Sequence, residues 1–350
     1  MAASEVERER LMESIERAYN FEQQAFDWYE SEAFDRNDPV HAFVASTAAY
    51  WIYQADRIDE AKRKRAEERL SESIDLAQRW YKEDKSDLQA RFFYGVNRCN
   101  RARFYVEESS WFRAYLDARE GLSILRSLVE EEPNYADAYF ALGVAEAFLS
   151  DAPTLLKPLA RLLGFRGAAQ AGIEKLQRCM EEGEWTIVEA SYYVAYFHYS
   201  IAEDGPKAIA GFEPLVRQYP ANPLFAYFLG RSHQINHKPL DALEVYQRSR
   251  DLAYQAGAED IGNWSSFRIG TILQGEHFYQ EAVEEYQRLQ KRLTAEMVEQ
   301  EYFYLLPLKM AQCLIELDEI DRARSYLEVV RSEWDRDTYR EARKLLDQLP

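Results

Sequence analysis

Two alanines 34 residues apart, Ala208 and Ala242, set the ruler for this 350-residue chain. Four residues after each comes an aromatic ring, Phe212 and Tyr246, and three after that Leu215 and Ser249. Between the two units, Asn222-Pro223 reads as a helix start, because Asn caps free N–H groups and Pro suits the first helical position. Leu229-Gly230 follows, with Ala242 twelve residues beyond the glycine. Small residues at 230 and 242 let two antiparallel helices approach closely, and Tyr246 fills the space beside them. A fixed period of this length marks a solenoid, in which each helix pair buries its apolar face on the next.

The same landmarks recur along the chain. Val194-Ala195 leads to Ala208. Ile269-Gly270 leads to Ala282, Tyr286 and Leu289, and Met310-Ala311 leads to Ala323, Leu327 and Val330. Tyr94-Gly95 leads to Gly121, Leu125, Leu128 and Pro133, landmarks set further apart, which predicts longer helices in a unit opened by Ser86 with Gln89. The run Ala136–Gly143 opens a unit whose second helix, marked by Gly172, Leu176 and Cys179, arrives late, so an insertion lies within Phe148–Gly167. Asp35–Asp38 is a turn. Asp38-Pro39 starts a helix to about Ala55, and a highly charged one follows to about Glu83. Ser4 with Glu7 has capping-box spacing for a leading helix to about Glu32, striped by Leu11, Ile15, Tyr19 and Phe26. Thr338 with Glu341 predicts the start of a last helix to about Leu349, suited to cap a solenoid.

These spacings resemble the tetratricopeptide-repeat superfamily over roughly Pro39–Trp334, most closely at Ala136-Asp137-Ala138-Tyr139-Phe140-Ala141-Leu142-Gly143. The resemblance implies an all-α, right-handed solenoid of about seven helix pairs with an extra helix at each end. It divides one superhelical domain into an N-terminal helix at 1–35, repeats at 39–334 with an insertion near 148–167, and a capping helix at 337–350. A narrower resemblance lies in Leu162-Leu163-Gly164-Phe165-Arg166-Gly167, then Gly172, Ile173 and Leu176. It is to the family that includes the yeast mitochondrial inclusion-body-clearance protein, and it carries no mitochondrial biology with it.

Formal net charge is −18, from 61 acidic and 43 basic residues. That excess argues against nucleic acid, whose phosphates need cations, and against adsorption to anionic membranes. Cys99, Cys179 and Cys313 lie far apart with no CxxC, and read as apolar fillers. The sequence opens with charged MAASEVERER, without a signal peptide or a membrane-spanning stretch. A soluble, cytoplasmic protein is the expectation; a periplasmic chain with its leader already removed is the alternative. No nucleotide loop, nucleophile elbow, HExxH or EF-hand spacing occurs, so neither an enzyme nor a cofactor is expected. His233 and His237 have metal-ligand spacing, but His237 falls in the turn between helices and no thiol or carboxylate completes a set. His198 and His233 hold equivalent places in adjacent units and read as structural or surface residues, with no metal expected.

The candidate site is a groove. In the family this chain resembles, the first helix of each unit lines a concave face, through positions three before, one after and four after the small residue. Three before gives Phe92, Phe140, Tyr192, Tyr227 and Phe267 in five consecutive units. The other places give Tyr196, Tyr199, Arg231, Gln234 and Gln274, and Trp264 lies nearby. Together they predict an aromatic strip with amide and guanidinium donors, suited to a protein or peptide ligand because aromatics give large rigid contacts. The plainer reading is that these rings pack within the solenoid, since the family itself favours Tyr at the first position. The carboxylate clamp of chaperone-binding members is not reproduced. The leading function is a non-enzymatic scaffold holding a peptide segment, with Arg231, Gln234 and Gln274 orienting its backbone. The alternative is a small-molecule sensor or regulatory subunit with a pocket between insertion and groove. The inserted stretch Thr154–Phe165 is apolar and locally basic; packing on its own solenoid is expected, with contact to a partner or lipid as the other reading.

Overall fold

The structure, a computed structural model, describes residues 5–22, 28, 29, 35, 37–150 and 168–350. Among them are sixteen α-helices and no strand. Helix α1 (Glu5–Tyr19) leads. Seven pairs follow in chain order: α2 (Pro39–Ala55) with α3 (Glu60–Glu83), α4 (Leu88–Glu107) with α5 (Trp111–Glu131), and α6 (Ala138–Ser150) with α7 (Ala169–Glu182). Then come α8 (Ile187–Ser200) with α9 (Gly205–Gln218), α10 (Pro223–Ile235) with α11 (Pro239–Gln255), and α12 (Glu259–Gly275) with α13 (Tyr279–Gln290). The last pair is α14 (Glu301–Glu316) with α15 (Ile320–Glu328), and α16 (Arg336–Gln348) closes the series. Each helix packs on its neighbours in sequence, which is the all-α solenoid the spacings predict.

The ruler works as a contact. A methyl group added at Gly230 would lie 2.8 Å from the Tyr246 ring, so the ring occupies the space a side chain would need. At Gly172 the same addition would meet the Gly143 carbonyl and the Ala147 nitrogen, each at 2.6 Å. Helices α6 and α7 therefore touch backbone to backbone. The long α4 and α5, 20 and 21 residues, account for the wide landmark spacing of that unit.

Four expectations are corrected or fall outside the described residues. Helix α1 stops at Tyr19 rather than near Glu32, because Phe21 adopts a left-handed φ of 56° and the Glu22 N–H turns back to the Arg17 carbonyl. Helix α4 is capped by Asp87, not Ser86, its carboxylate accepting from the Gln89 and Ala90 N–H groups. Helix α16 is capped by Asp335, to which the Thr338 N–H and hydroxyl both donate. In both places a carboxylate outcompetes a neutral hydroxyl for the free N–H groups. Ser4, Phe26, Arg36 and the inserted Thr154–Gly167, with the narrower family resemblance it carries, lie outside the described residues.

Helix α2 departs most from a repeat helix. Its seventeen residues contain no Asp, Glu, Lys or Arg, and fifteen are buried. A helix apolar on all sides needs neighbours on all sides. Helices α3 and α4 cover one side; α1, α10 and α12 cover the rest. The Trp51 ring meets Tyr192 of α8 edge-on at 5.0 Å and Phe225 of α10 at 5.4 Å. Polar ties fix this long-range docking. The Asp260 N–H donates to Asp56 Oδ1 at 3.0 Å, and Asn222 Nδ2 donates to the Tyr19 carbonyl at 2.7 Å. The solenoid thus folds its middle units around its own second helix.

Candidate functional site: a filled groove, a ledge and a cavity

Burial divides the expected aromatic strip in two. Phe92, Phe140, Tyr192, Tyr227 and Phe267 are core residues, none more than 6% exposed. The expectation that they line an open surface is therefore corrected. The position three before the small residue points into the solenoid, within or between units, rather than out of it. Phe92 packs against Phe43 of α2 and Tyr135, Phe140 against Tyr193, Tyr227 against Tyr246, and Phe267 against Tyr286. Tyr192 lies under Trp51.

Tyr196, Tyr199, Arg231, Gln234, Trp264 and Gln274 remain half-buried. They form a ledge along α8, α10 and α12. Tyr199 and Tyr196 meet Phe228, a ring the spacing did not single out, at 6.0 and 5.3 Å. The Arg231 guanidinium lies 5.2 Å from the Tyr199 ring centre, and its Nη1 donates to the Tyr227 hydroxyl at 3.3 Å. Arg268, also missed, lies 5.3 Å from the Trp264 ring centre. All three expected backbone-orienting groups already make a hydrogen bond within the chain. Gln234 Oε1 accepts from the Tyr246 hydroxyl, and Gln274 Nε2 donates to Gln312. Neither Arg231 nor Arg268 forms an ion pair among the described residues. Sequence reasoning had one usable signal here: Arg231 and Arg268 are the lone Lys or Arg residues of their first helices.

A cavity of about 490 Å³ lies between α4, α5, α6 and α8. Its wall is mostly apolar, with Val106, Leu122, Val144 and Leu149 among the side chains, and it carries Asn100, Arg103 and Glu107 from one face of α4. Glu107 is saturated: it accepts from the Tyr50 hydroxyl at 2.7 Å and from Gln54, and pairs with Arg57 at 3.3 Å. Arg103 is not. Its Nη2 donates to Asn100 at 2.8 Å, but Nε and Nη1 are shielded from water with no acceptor among the described residues. The rings of Tyr50, Phe140 and Tyr193 surround it, each 5.1 Å away.

Behind Arg103 lies Glu189, buried on α8. Burial pushes its carboxyl up to about 7; the Tyr19 hydroxyl, its own N–H, Arg103 and the Trp51 indole offset only part of that cost. The folded state therefore holds a proton that the unfolded chain releases near the ordinary glutamate value of 4.5. The stability this group contributes is full below about pH 4.5, falls as pH rises through about 7 and is flat above. Asp260, pushed up from 3.8 to about 6 by burial, adds a slope of the same sign over a window that starts and ends lower. Glu189→Gln should remove the first component. Urea titrations should find the variant gaining about 3 kcal/mol on the parent between pH 5 and pH 8. An equal difference at both pH values would assign Glu189 no part in it.

His237 sits in the α10–α11 turn with φ 55°, and the His233 Nδ1 lies 3.8 Å from Asp241. Among the described residues no group of three His, Cys, Asp or Glu could hold a metal, and no helix is long and apolar enough to cross a membrane. The three cysteines are buried thiols. No protein-family model and no curated protein matches the chain. Among solved structures it is similar to yeast Tom70 over 91% of its length, at 12% identity and a TM-score of 0.48, and it spans 65% of that structure. PilF of Pseudomonas aeruginosa is similar over 67% of this chain and 88% of its own, at 16% identity and 0.45. MamA is similar over 57% of this chain and 97% of its own, at 18% identity and 0.35. Seven serial helix pairs, with close small-residue contacts inside them, make this chain an all-α helical-repeat solenoid.

Proposed function

We propose that the protein is a non-enzymatic interaction scaffold that holds a carboxylate-bearing segment of a protein partner on the ledge of Tyr196, Tyr199, Arg231, Trp264 and Arg268. The observation that carries this reading is the state of the two arginines. On a chain of net charge −18, Arg231 and Arg268 face rings and a hydroxyl and have no acid partner among the described residues. Half-buried guanidinium groups bind carboxylates more strongly than exposed ones, because fewer waters compete. The rings beside them supply flat apolar contact, as anchors of interfaces do. The deep groove is not part of the proposal, since α2 fills it.

The test is fluorescence anisotropy with a short acidic peptide carrying one aromatic residue, and its Gln-substituted, amidated analogue. The acidic peptide should bind at least tenfold more tightly, about 1.4 kcal/mol, and lose affinity as salt rises. The Arg231→Gln, Arg268→Gln double variant should bind both peptides equally while melting like the parent. Equal affinity of the two peptides for the parent protein would remove the reading.

A further inference from the structure

Helix α4 carries three arginines in six residues, and they are treated differently. Arg98 and Arg101 share the buried carboxylate of Asp117, with contacts of 2.7 Å from each. Arg103 points elsewhere and meets no carboxylate among the described residues. Its partners are one amide and three ring faces, and two of its nitrogens have no acceptor among the described residues. A guanidinium withdrawn from water in this way carries a large desolvation cost unless an anion joins it. Glu107, one turn on, is taken by Tyr50, Gln54 and Arg57. Glu189 lies on that side, but burial pushes its carboxyl up to about 7, so it is only partly ionised at neutral pH.

The same arginine lines a cavity of about 490 Å³. That volume falls in the ~300–1,000 Å³ range of small-molecule sites, which are apolar with a few convergent polar groups. Apolar side chains of α4, α5 and α6 supply most of the wall. Trp111 and Phe148, also lining it, are 46% and 45% exposed, so the apolar surface continues out to solvent.

We infer that this cavity binds an acyl-chain carboxylate, its head on the Arg103 guanidinium and its hydrocarbon along the apolar wall toward Trp111 and Phe148. The carboxylate would pair with the Arg103 charge where that half-buried side chain lines the cavity, and the chain would take up wall that otherwise faces water. The inference rests on the cavity alone and stands whether or not the ledge holds a peptide.

The test uses the full chain with dodecanoate and dodecanol, both below the concentration at which micelles form. Dodecanoate should raise the melting temperature and bind at least tenfold more tightly than the alcohol by calorimetry. Arg103→Gln should abolish that preference, leaving the two equal, and Arg103→Lys should restore part of it. Should Arg103→Gln fail to fold, a bromine-labelled dodecanoate reads the site in the parent. It should quench tryptophan fluorescence, and Trp111→Phe, a change at an exposed ring, should remove most of the quenching. No binding by the parent, equal affinity for acid and alcohol, or quenching untouched by Trp111→Phe would each overturn the inference.

Discussion

Replacing Tyr227 and Phe267 together by alanine should abolish cooperative unfolding of the middle and C-terminal units. Each ring is core. Tyr227 lies 5.4 Å from Phe228 and 5.7 Å from Tyr246, and Phe267 lies 6.3 Å from Trp264 and 6.2 Å from Tyr286. Truncating a buried aromatic costs roughly 3–5 kcal/mol, lost transfer energy plus the cavity left behind. The two sites share no ring partner, so the costs should add to roughly 6–10 kcal/mol. A domain is typically stable by only about 5–15 kcal/mol, so most of the margin goes. Nearest-neighbour coupling in a solenoid then spreads the loss to α8 and α14. Thermal melts followed by far-ultraviolet circular dichroism should show a broad transition starting well below the parent's. A double variant that melts like the parent would place both rings on a free surface and reinstate an open groove.

The period was legible because its landmarks are contacts between chain neighbours. Gly230 and Tyr246 meet directly, so local sequence carries their geometry. Which faces of the first helices stay open was not legible from those landmarks. That depends on α2 docking onto helices over a hundred residues away, through pairs such as Trp51 with Tyr192 and Asp56 with Asp260. The sequence did hold a hint in Pro39–Ala55, a stretch without a charge, too apolar to leave any face in water. The cavity arginine was harder to find. Arg103 looks like Arg98 and Arg101 until the position of Asp117 is known. The ledge was half legible. Tyr196, Tyr199, Arg231 and Trp264 fall where repeat geometry puts them, whereas Phe228 and Arg268 enter through packing that no repeat position specifies.

Asp137→Ala should cost at least about 4 kcal/mol, although the side chain touches no ligand site and belongs to no ion pair among the described residues. Helix α8 begins without a capping side chain of its own. The N–H groups of the three residues that lead into it, 184–186, are held by a residue 47 to 49 positions earlier. Asp137 Oδ1 accepts from the Trp185 N–H at 2.8 Å, the Thr186 N–H at 2.9 Å and the Thr186 hydroxyl at 2.9 Å. The Glu184 N–H donates to Oδ2 at 3.0 Å. One carboxylate just before α6 therefore fastens the start of α8, across the inserted residues between α6 and α7. Removing it strands three backbone donors, two of them buried, at about 1–3 kcal/mol each. Asp137→Asn keeps one acceptor oxygen but sets an amide N–H₂ against N–H groups, so an intermediate loss of about 2 kcal/mol is expected. Urea unfolding with an unchanged m-value is the measurement, because it separates a stability change from a change in the unfolded chain. The expected order is parent, then Asn, then Ala. An alanine variant within about 1 kcal/mol of the parent would mean that water replaces the carboxylate at the α8 start. Helix α8 carries Glu189, Tyr193, Tyr196 and Tyr199, so the cavity wall and the ledge both depend on where this one carboxylate seats it.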